Sequence, residues 1–261
     1  MHPDRRIPGG AVPPGAVPPG AVPPGAAPGS SGHGGTDVGD GGDGLPDGAV
    51  GGFDAVILAG GQARRLGGAD KPGAVVRGRT LAEAVVAAAV DAAAVIVVGP
   101  RRPGLRRPPR SGVLRFVCED PPHGGPVAGL RRGMAELSAG GAPWVAVLAA
   151  DLPFLRARVL RMLLAEAGCW RDEAVPTTGA VLVDDAGRPQ WLIGCWRASP
   201  LREALRTYRG GSLGGLLGPL RPVELSANVG TGEPPPWLDC DAPADLRRAR
   251  EWETGEWETA E

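Results

Sequence analysis

Apolar residues in this chain gather into short unbroken runs, each closed by glycine or an acidic residue. FDAVILA (53–59) stops at Gly60, AVIVVG (94–99) ends on Gly99, and WVAVLAAD (144–151) ends on Asp151. Runs of this length without polar alternation predict strands buried on both faces. VLRFVCE (113–119) reads as another strand, and LRPVEL (220–225) as a short one. Between them the period changes to that of amphipathic helices: TLAEAVVAAAV (80–90), PVAGLRRGMAEL (126–137), LRARVLRMLLAEA (155–167), LREALRTY and APADLRRAR (242–250). Thr80 with Glu83 three residues on is a capping box, and Pro126 suits a first helical turn. AVLVDDAGRPQWLIGCW (180–196) predicts two strands around the turn DDAGRP. Strands alternating with helices predict an α/β domain of three layers around a mostly parallel sheet. In such sheets ligands bind at the carboxyl ends of strands, so the residues just after strands are the candidates for chemistry.

The two ends of the chain read differently. AVPPG occurs three times between 11 and 25, and the stretch onward to Gly52 is rich in Gly, Asp and Ser with little to bury. Such a tract cannot offset its ordering entropy, so 1–52 is expected to be a disordered low-complexity arm, inert or partner-binding. EWETGEWETAE (251–261) is expected to be an acidic flexible tail, leaving 53–250 as the folded domain. A net charge of −1 argues against a nucleic-acid binder. The arginines of RRPGLRRPPR (101–110) read as a solvated loop. No run of 18 apolar residues and no signal-peptide segment is present, so a cytosolic protein without a membrane span is expected. Cys118, Cys169, Cys195 and Cys240 lie far apart and no CxxC occurs, so free core thiols are expected rather than zinc or disulfides.

LAGGQARRLGGADKP (58–72) follows the first strand. Gly60 and Gly61 allow close backbone approach to an anion, and Arg64, Arg65 and Lys71 surround the same turn with positive charge. It is neither a Walker loop nor a GxGxxG turn. Lys71 is the only lysine among 28 basic residues. A chain that uses arginine for every other cation retains a compact, mobile ammonium here, as a phosphate site would require. Asp151 ends the most apolar strand, where a carboxylate is costly to bury without a partner; Mg²⁺ is the economical partner, and a helix cap is the alternative role. Asp241 lies in a second strand-end position, where it can serve as the N-cap of the closing helix. Gly125–Pro126 can simply start a helix, with Asp120 as its cap.

LAGGQARRLGGADKP resembles the signature of nucleotidyltransferases with a glycosyltransferase-A-like, Rossmann-like fold, closest to the MobA-like molybdenum cofactor guanylyltransferases. EDPPHGGPVAGL (119–130), VAVLAADLPFL (145–155) and LDCDAPADL (238–246) resemble three further motifs of that family, in order. The resemblance covers 53–250. It implies transfer of GMP from GTP to the terminal phosphate of molybdopterin, with release of pyrophosphate and Mg²⁺ as cofactor. It also implies roles for individual residues. The backbone of Leu58, Ala59, Gly60 and Gly61 would hold the nucleotide, Arg65 and Lys71 would neutralise phosphate charge, and Asp120 would bind nucleotide. Gly125, Pro126 and Gly129 would line the guanine side, while Asp151 (catalytic and nucleotide-binding) and Asp241 would hold the metal. Molybdoenzymes or other molybdenum-cofactor proteins would be partners. Gly99 stands where the family often has an asparagine, and the acceptor side around WLIGCWRASPL resembles the family only loosely. A cytidylyltransferase, a phospholactate or sugar-phosphate nucleotidyltransferase, and an inactive nucleotide-binding adaptor stay open as alternatives.

Overall fold

The first predicted strand, β1 (Phe53–Leu58), lies near the middle of a seven-stranded sheet in the computed structural model, with β4 (Ala94–Val98) and β6 (Trp144–Ala149) paired parallel on either side. The structure describes residues 52–60, 71–119, 124–169, 177–227 and 233–254. The remaining strands are β5 (Val113–Val117), parallel to β4; β8 (Pro189–Arg197), antiparallel to β6 and to β7 (Gly179–Val183); and β9 (Val223–Ser226), parallel to β7. The order is β5-β4-β1-β6-β8-β7-β9. Parallel pairing therefore governs the half built from the unbroken apolar runs, and the DDAGRP hairpin introduces the antiparallel strands. A small separate hairpin, β2 (Val75–Val76) with β3 (Arg79–Thr80), follows Lys71.

Alternate residues of each strand feed opposite layers. On one face Ala55, Ile57, Val95, Val97 and Leu148 pack with α1 (Leu81–Ala88) and α3 (Ala157–Cys169). On the other, Val56, Ile96, Val98 and Val147 pack with α2 (Gly125–Glu136), α4 (Ala198–Thr207) and α5 (Leu213–Leu217). Each fully buried Val, Leu or Ile contributes roughly 1.5–3 kcal/mol against the entropy of ordering. α2 approaches most closely at Gly133, where a Cβ would lie 2.4 Å from a Val56 methyl. The closing helix α6 (Pro243–Thr254) completes the fold.

The three-layer α/β reading and its mostly parallel sheet are borne out. Thr80 caps α1 in the capping box the sequence predicted, its Oγ1 accepting from Glu83 N–H while Glu83 reaches back to Thr80 N–H. Three local expectations shift. The late strand begins at Val223 rather than 220, because Gly218–Leu220 forms a 3-10 turn and Arg221 takes a left-handed φ of 49°. Strand β6 ends at Ala149, and Asp151 stands in the turn beyond it. The closing helix continues through Thr254, past the expected start of the tail. Cys118, Cys195 and Cys240 are free as expected, but Cys118 is exposed while Cys195 and Cys240 are buried. The expectations for residues 1–51 and 255–261 fall outside the described residues. Among those described, no helix is long and apolar enough to cross a membrane.

Candidate active site

At the carboxyl edge of the sheet three chain segments meet. Lys71 opens a short 3-10 turn, Lys71–Gly73, closed by the Ala74 N–H on the Lys71 carbonyl at 3.0 Å and tied to α1 by Leu81 N–H on Ala74 O at 2.9 Å. Asp151 follows β6 after Ala150, whose N–H donates to Leu58 O at 3.0 Å and so continues the β1–β6 pairing. Cys240 donates its N–H to Asp151 O at 3.3 Å, which brings Asp241 alongside. Beneath the three segments lies a small apolar cluster of Val76, Leu81, Phe154, Cys240 and Ala249. Val76, Phe154 and Cys240 are the nearby sequence neighbours of Lys71, Asp151 and Asp241, so burying them together sets the charged side chains side by side.

The Lys71 ammonium donates to Asp151 Oδ2 and to Asp241 Oδ1, residues 80 and 170 positions away in sequence. Lys71 and Asp151 are largely withdrawn from solvent, at 17% and 20% side-chain exposure, whereas Asp241 is 47% exposed. Burial disfavours the charge on Lys71, but the Asp151 and Asp241 carboxylates outweigh it and raise its pKa above the usual lysine value. Burial, then Asp241 and Asp151, push Asp239 up. Burial, followed by Asp151, pushes the Cys240 thiol up to about 12, leaving it protonated and inert. Asp151 Oδ1 is buried with no hydrogen-bond partner. A buried carboxylate oxygen left unpaired is costly, and oxygen is the donor that a hard divalent cation takes. The residues therefore fit Mg²⁺, with Asp151 and Asp241 as the side chains that would hold it. The helix-cap alternatives fare less well: α3 starts six residues beyond Asp151, and Asp245 serves the start of α6 by accepting Ala242 N–H at 2.6 Å.

The glycine turn enters the same edge. Ala59 N–H donates to Val98 O at 2.8 Å and Leu58 O accepts from Ala150, so the sheet uses both groups. Gly60 is exposed just beyond. Gly99 sits opposite with φ +152°, and a Cβ there would lie 2.8 Å from the Ala59 carbonyl carbon and oxygen. Backbone against backbone cannot yield, which is a physical reason for glycine at the position where the resembling family often has asparagine. Gly125 is the first residue of α2 with φ +82°, followed by Pro126. Gly129 is buried on α2. A Cβ there would meet Glu119 Oε1 at 2.9 Å, and one at Gly60 would meet it at 3.3 Å.

Glu119 is the residue that the sequence reading passed over in favour of its neighbour Asp120. Its other carboxylate oxygen accepts Gly124 N–H at 3.0 Å, so one side chain links the β5 exit, the β1 turn and the start of α2. The signal was present in the adjacent Glu and Asp of EDPPHGGP. A second omission is a concentration of arginines past Asp151. Burial, then Arg77, Arg158 and Arg79, lowers the pKa of Arg156, and the Arg77 guanidinium stacks 5.3 Å from the Phe154 ring centre. Nothing in their spacing announced it, because Arg77 and Arg156 meet only through the fold. Gly61, Arg64, Arg65 and Asp120 lie outside the described residues.

Comparison with known proteins agrees with this fold. Residues 55–223 match the family model of the MobA-like NTP transferase domain. The chain is 32% identical to a molybdenum cofactor guanylyltransferase of Acidiphilium cryptum over 206 residues, covering 75% of this chain and 92% of that protein. It is 40% identical over 101 residues to a probable molybdenum cofactor guanylyltransferase of Opitutus terrae, an alignment spanning 48% of that relative. Among solved structures, molybdopterin-guanine dinucleotide biosynthesis protein A from Archaeoglobus fulgidus shares the fold, with a TM-score of 0.56, 19% identity, and coverage of 77% of this chain and 98% of that one.

Proposed function

The chain belongs to the MobA-like NTP transferases, and from that premise we propose that it transfers GMP from GTP to the terminal phosphate of a molybdopterin-type acceptor, releasing pyrophosphate. The family makes the chain a nucleotidyltransferase. The convergence of Lys71, Asp151 and Asp241 on one point, with a buried carboxylate oxygen unpaired, carries the assignment of the reacting centre. In this reading the exposed Gly60 and the start of α2 at Gly125–Pro126 receive the nucleotide, with Gly61, Arg65 and Asp120 as the further nucleotide-binding residues that the family resemblance implies. Glu119 holds those two walls in register. Lys71 places its charge on the triphosphate, where it offsets negative charge that grows as the α-phosphorus is attacked. Asp151 and Asp241 would hold Mg²⁺, which when bound polarises phosphate oxygens and orients the leaving pyrophosphate. The arginines around Arg156 supply a positive field for an anionic second substrate. Little covalent work falls to side chains in phosphoryl chemistry; position and charge supply most of the acceleration.

The names of the relatives, molybdenum cofactor guanylyltransferases, support both a molybdopterin-type acceptor and GTP. The reaction belongs in the cytosol, with molybdenum-cofactor proteins as the partners that deliver acceptor or take product. The test incubates the protein with molybdopterin, Mg²⁺ and each of GTP, CTP and UTP, and reads the dinucleotide by mass. A guanine dinucleotide formed with GTP in preference to CTP is the expected result. Preference for CTP, or pyrophosphate release only with a sugar phosphate or phospholactate, rejects the assignment; no release with any pair makes the chain a binding protein.

A further inference from the structure

Resting on the nucleotidyl-transfer reading, we propose that Lys71 is the resident counter-ion of Asp151 and Asp241 in the nucleotide-free protein, so that a divalent ion gains these carboxylates only when a triphosphate draws the ammonium away. The ammonium lies on both carboxylates at once, on Asp151 Oδ2 and Asp241 Oδ1, the two side chains that would hold a metal. A dication brought to them with Lys71 in place would face a positive charge at contact distance. The remaining ligand set is also thin. Among the described residues no group of three or more His, Cys, Asp or Glu side chains could hold a metal ion. Magnesium requires near-octahedral oxygen coordination and takes only one or two carboxylates with phosphate oxygens and water. A triphosphate answers both problems, since it brings oxygens for the ion and a new anionic partner for the ammonium.

The local structure suits such a transfer. The backbone of Lys71 is fixed by the 3-10 turn and by the tie from Leu81 to Ala74, so the movement falls to the flexible four-carbon side chain. An arginine fork would hold a carboxylate bidentately and give it up less readily. This gives the solitary lysine a reason beyond charge: it must neutralise the carboxylates in one state and phosphate in the next. The consequence is ordered entry, with metal arriving on nucleotide and free metal excluded.

Because Lys71 is the only lysine in the chain, protein grown on ε-¹⁵N-lysine carries one side-chain ammonium signal. Mg²⁺ alone is expected to leave that signal unmoved, and Mg²⁺ with a non-hydrolysable GTP analogue to shift it. In parallel, Mn²⁺ binding without nucleotide is measured by electron paramagnetic resonance. Lys71→Gln is expected to bind free Mn²⁺ at least about tenfold more tightly than wild type, Lys71→Arg to remain as weak as wild type, and Lys71→Gln with Asp151→Asn to lose the gain. A shift of the ammonium signal by Mg²⁺ alone, or equal Mn²⁺ affinity in Lys71→Gln and wild type, overturns the proposal. Failure of wild type to retain Mn²⁺ and GTP together on ultrafiltration overturns the underlying reading, whatever the free-metal titration gives.

Discussion

Two carboxylates stand at the same edge of the sheet and are treated in opposite ways. Asp184, in the turn between β7 and β8, accepts from Ala186 N–H and Arg188 N–H at 2.9 Å, Arg188 Nε at 3.0 Å and Gln190 Nε2 at 3.1 Å. Every donor lies within six residues of it. Asp151 draws its partner from 80 residues away and leaves Oδ1 buried without one. A carboxylate completely satisfied by its own turn fixes a hairpin. One held by distant segments and left incomplete keeps an oxygen for a ligand, which is the ground on which we propose Asp151, and not Asp184, as the functional acid.

The comparison breaks most decisively at the incomplete site. Lys71→Ala and Asp151→Asn are each expected to lower turnover by about 10²–10³-fold, the cost of removing a charge stabiliser, with pyrophosphate release as the measurement. Stability should move the other way from activity in Asp151→Asn. Two carboxylates share one ammonium, so removing one balances the cluster, and the melting temperature is expected to hold or rise. Asp184→Ala inverts the pattern: the melting temperature falls while turnover of the folded enzyme stays within about threefold, because four donors lose an acceptor but no group at the reacting centre does. An unaltered melting temperature in Asp184→Ala, or a melt much below wild type in Asp151→Asn, would erase the distinction.

The pH dependence sharpens it. Hydrogen bonds from Arg188 N–H, then from Ala186 N–H and the Arg188 side chain, lower the Asp184 pKa below its ordinary 3.8. Its stabilisation is therefore present above that value and is lost as pH falls through the depressed one. Lys71 is raised above 10.5, so its ion pairs stabilise below that value and disappear as pH climbs through the raised one. Thermal melts of wild type and Asp184→Ala should converge in acid, and those of wild type and Lys71→Ala should converge in strong base. The smallest expected effect is at Glu119. Glu119→Ala removes a helix-start acceptor, worth about 1 kcal/mol, and should raise the KM for GTP more than it lowers kcat, as steady-state rates in GTP will check.

Much of the molecule was legible because its signals are local. Thr80 and Glu83 carry their capping box within four residues, DDAGRP marks its own turn, and the unbroken apolar runs announce the parallel half. Lys71 was legible for a different reason, as an exception to the chain's use of arginine. What escaped depends on contacts across the chain. β2 and β3 are two residues each, too short for a period, and β9 begins three residues late because Arg221 adopts a left-handed turn. Glu119 reveals its role only against Gly60 and Gly129, and Arg156 only beside Arg77. The order of Lys71, Asp151 and Asp241 along the sequence gave no hint that one ammonium would touch both acids.

The apolar cluster of Val76, Phe154 and Cys240 has a consequence for how such a catalyst can diversify. It anchors the three charged segments to one another, while the hairpin around Asp184 braces itself. Changes to the outer strands β7 and β9 can therefore be absorbed without re-aiming the charges. Phe154→Ala, by contrast, would misalign all three segments together, so inherited variation is expected to accumulate on the hairpin side and to spare that buried hub.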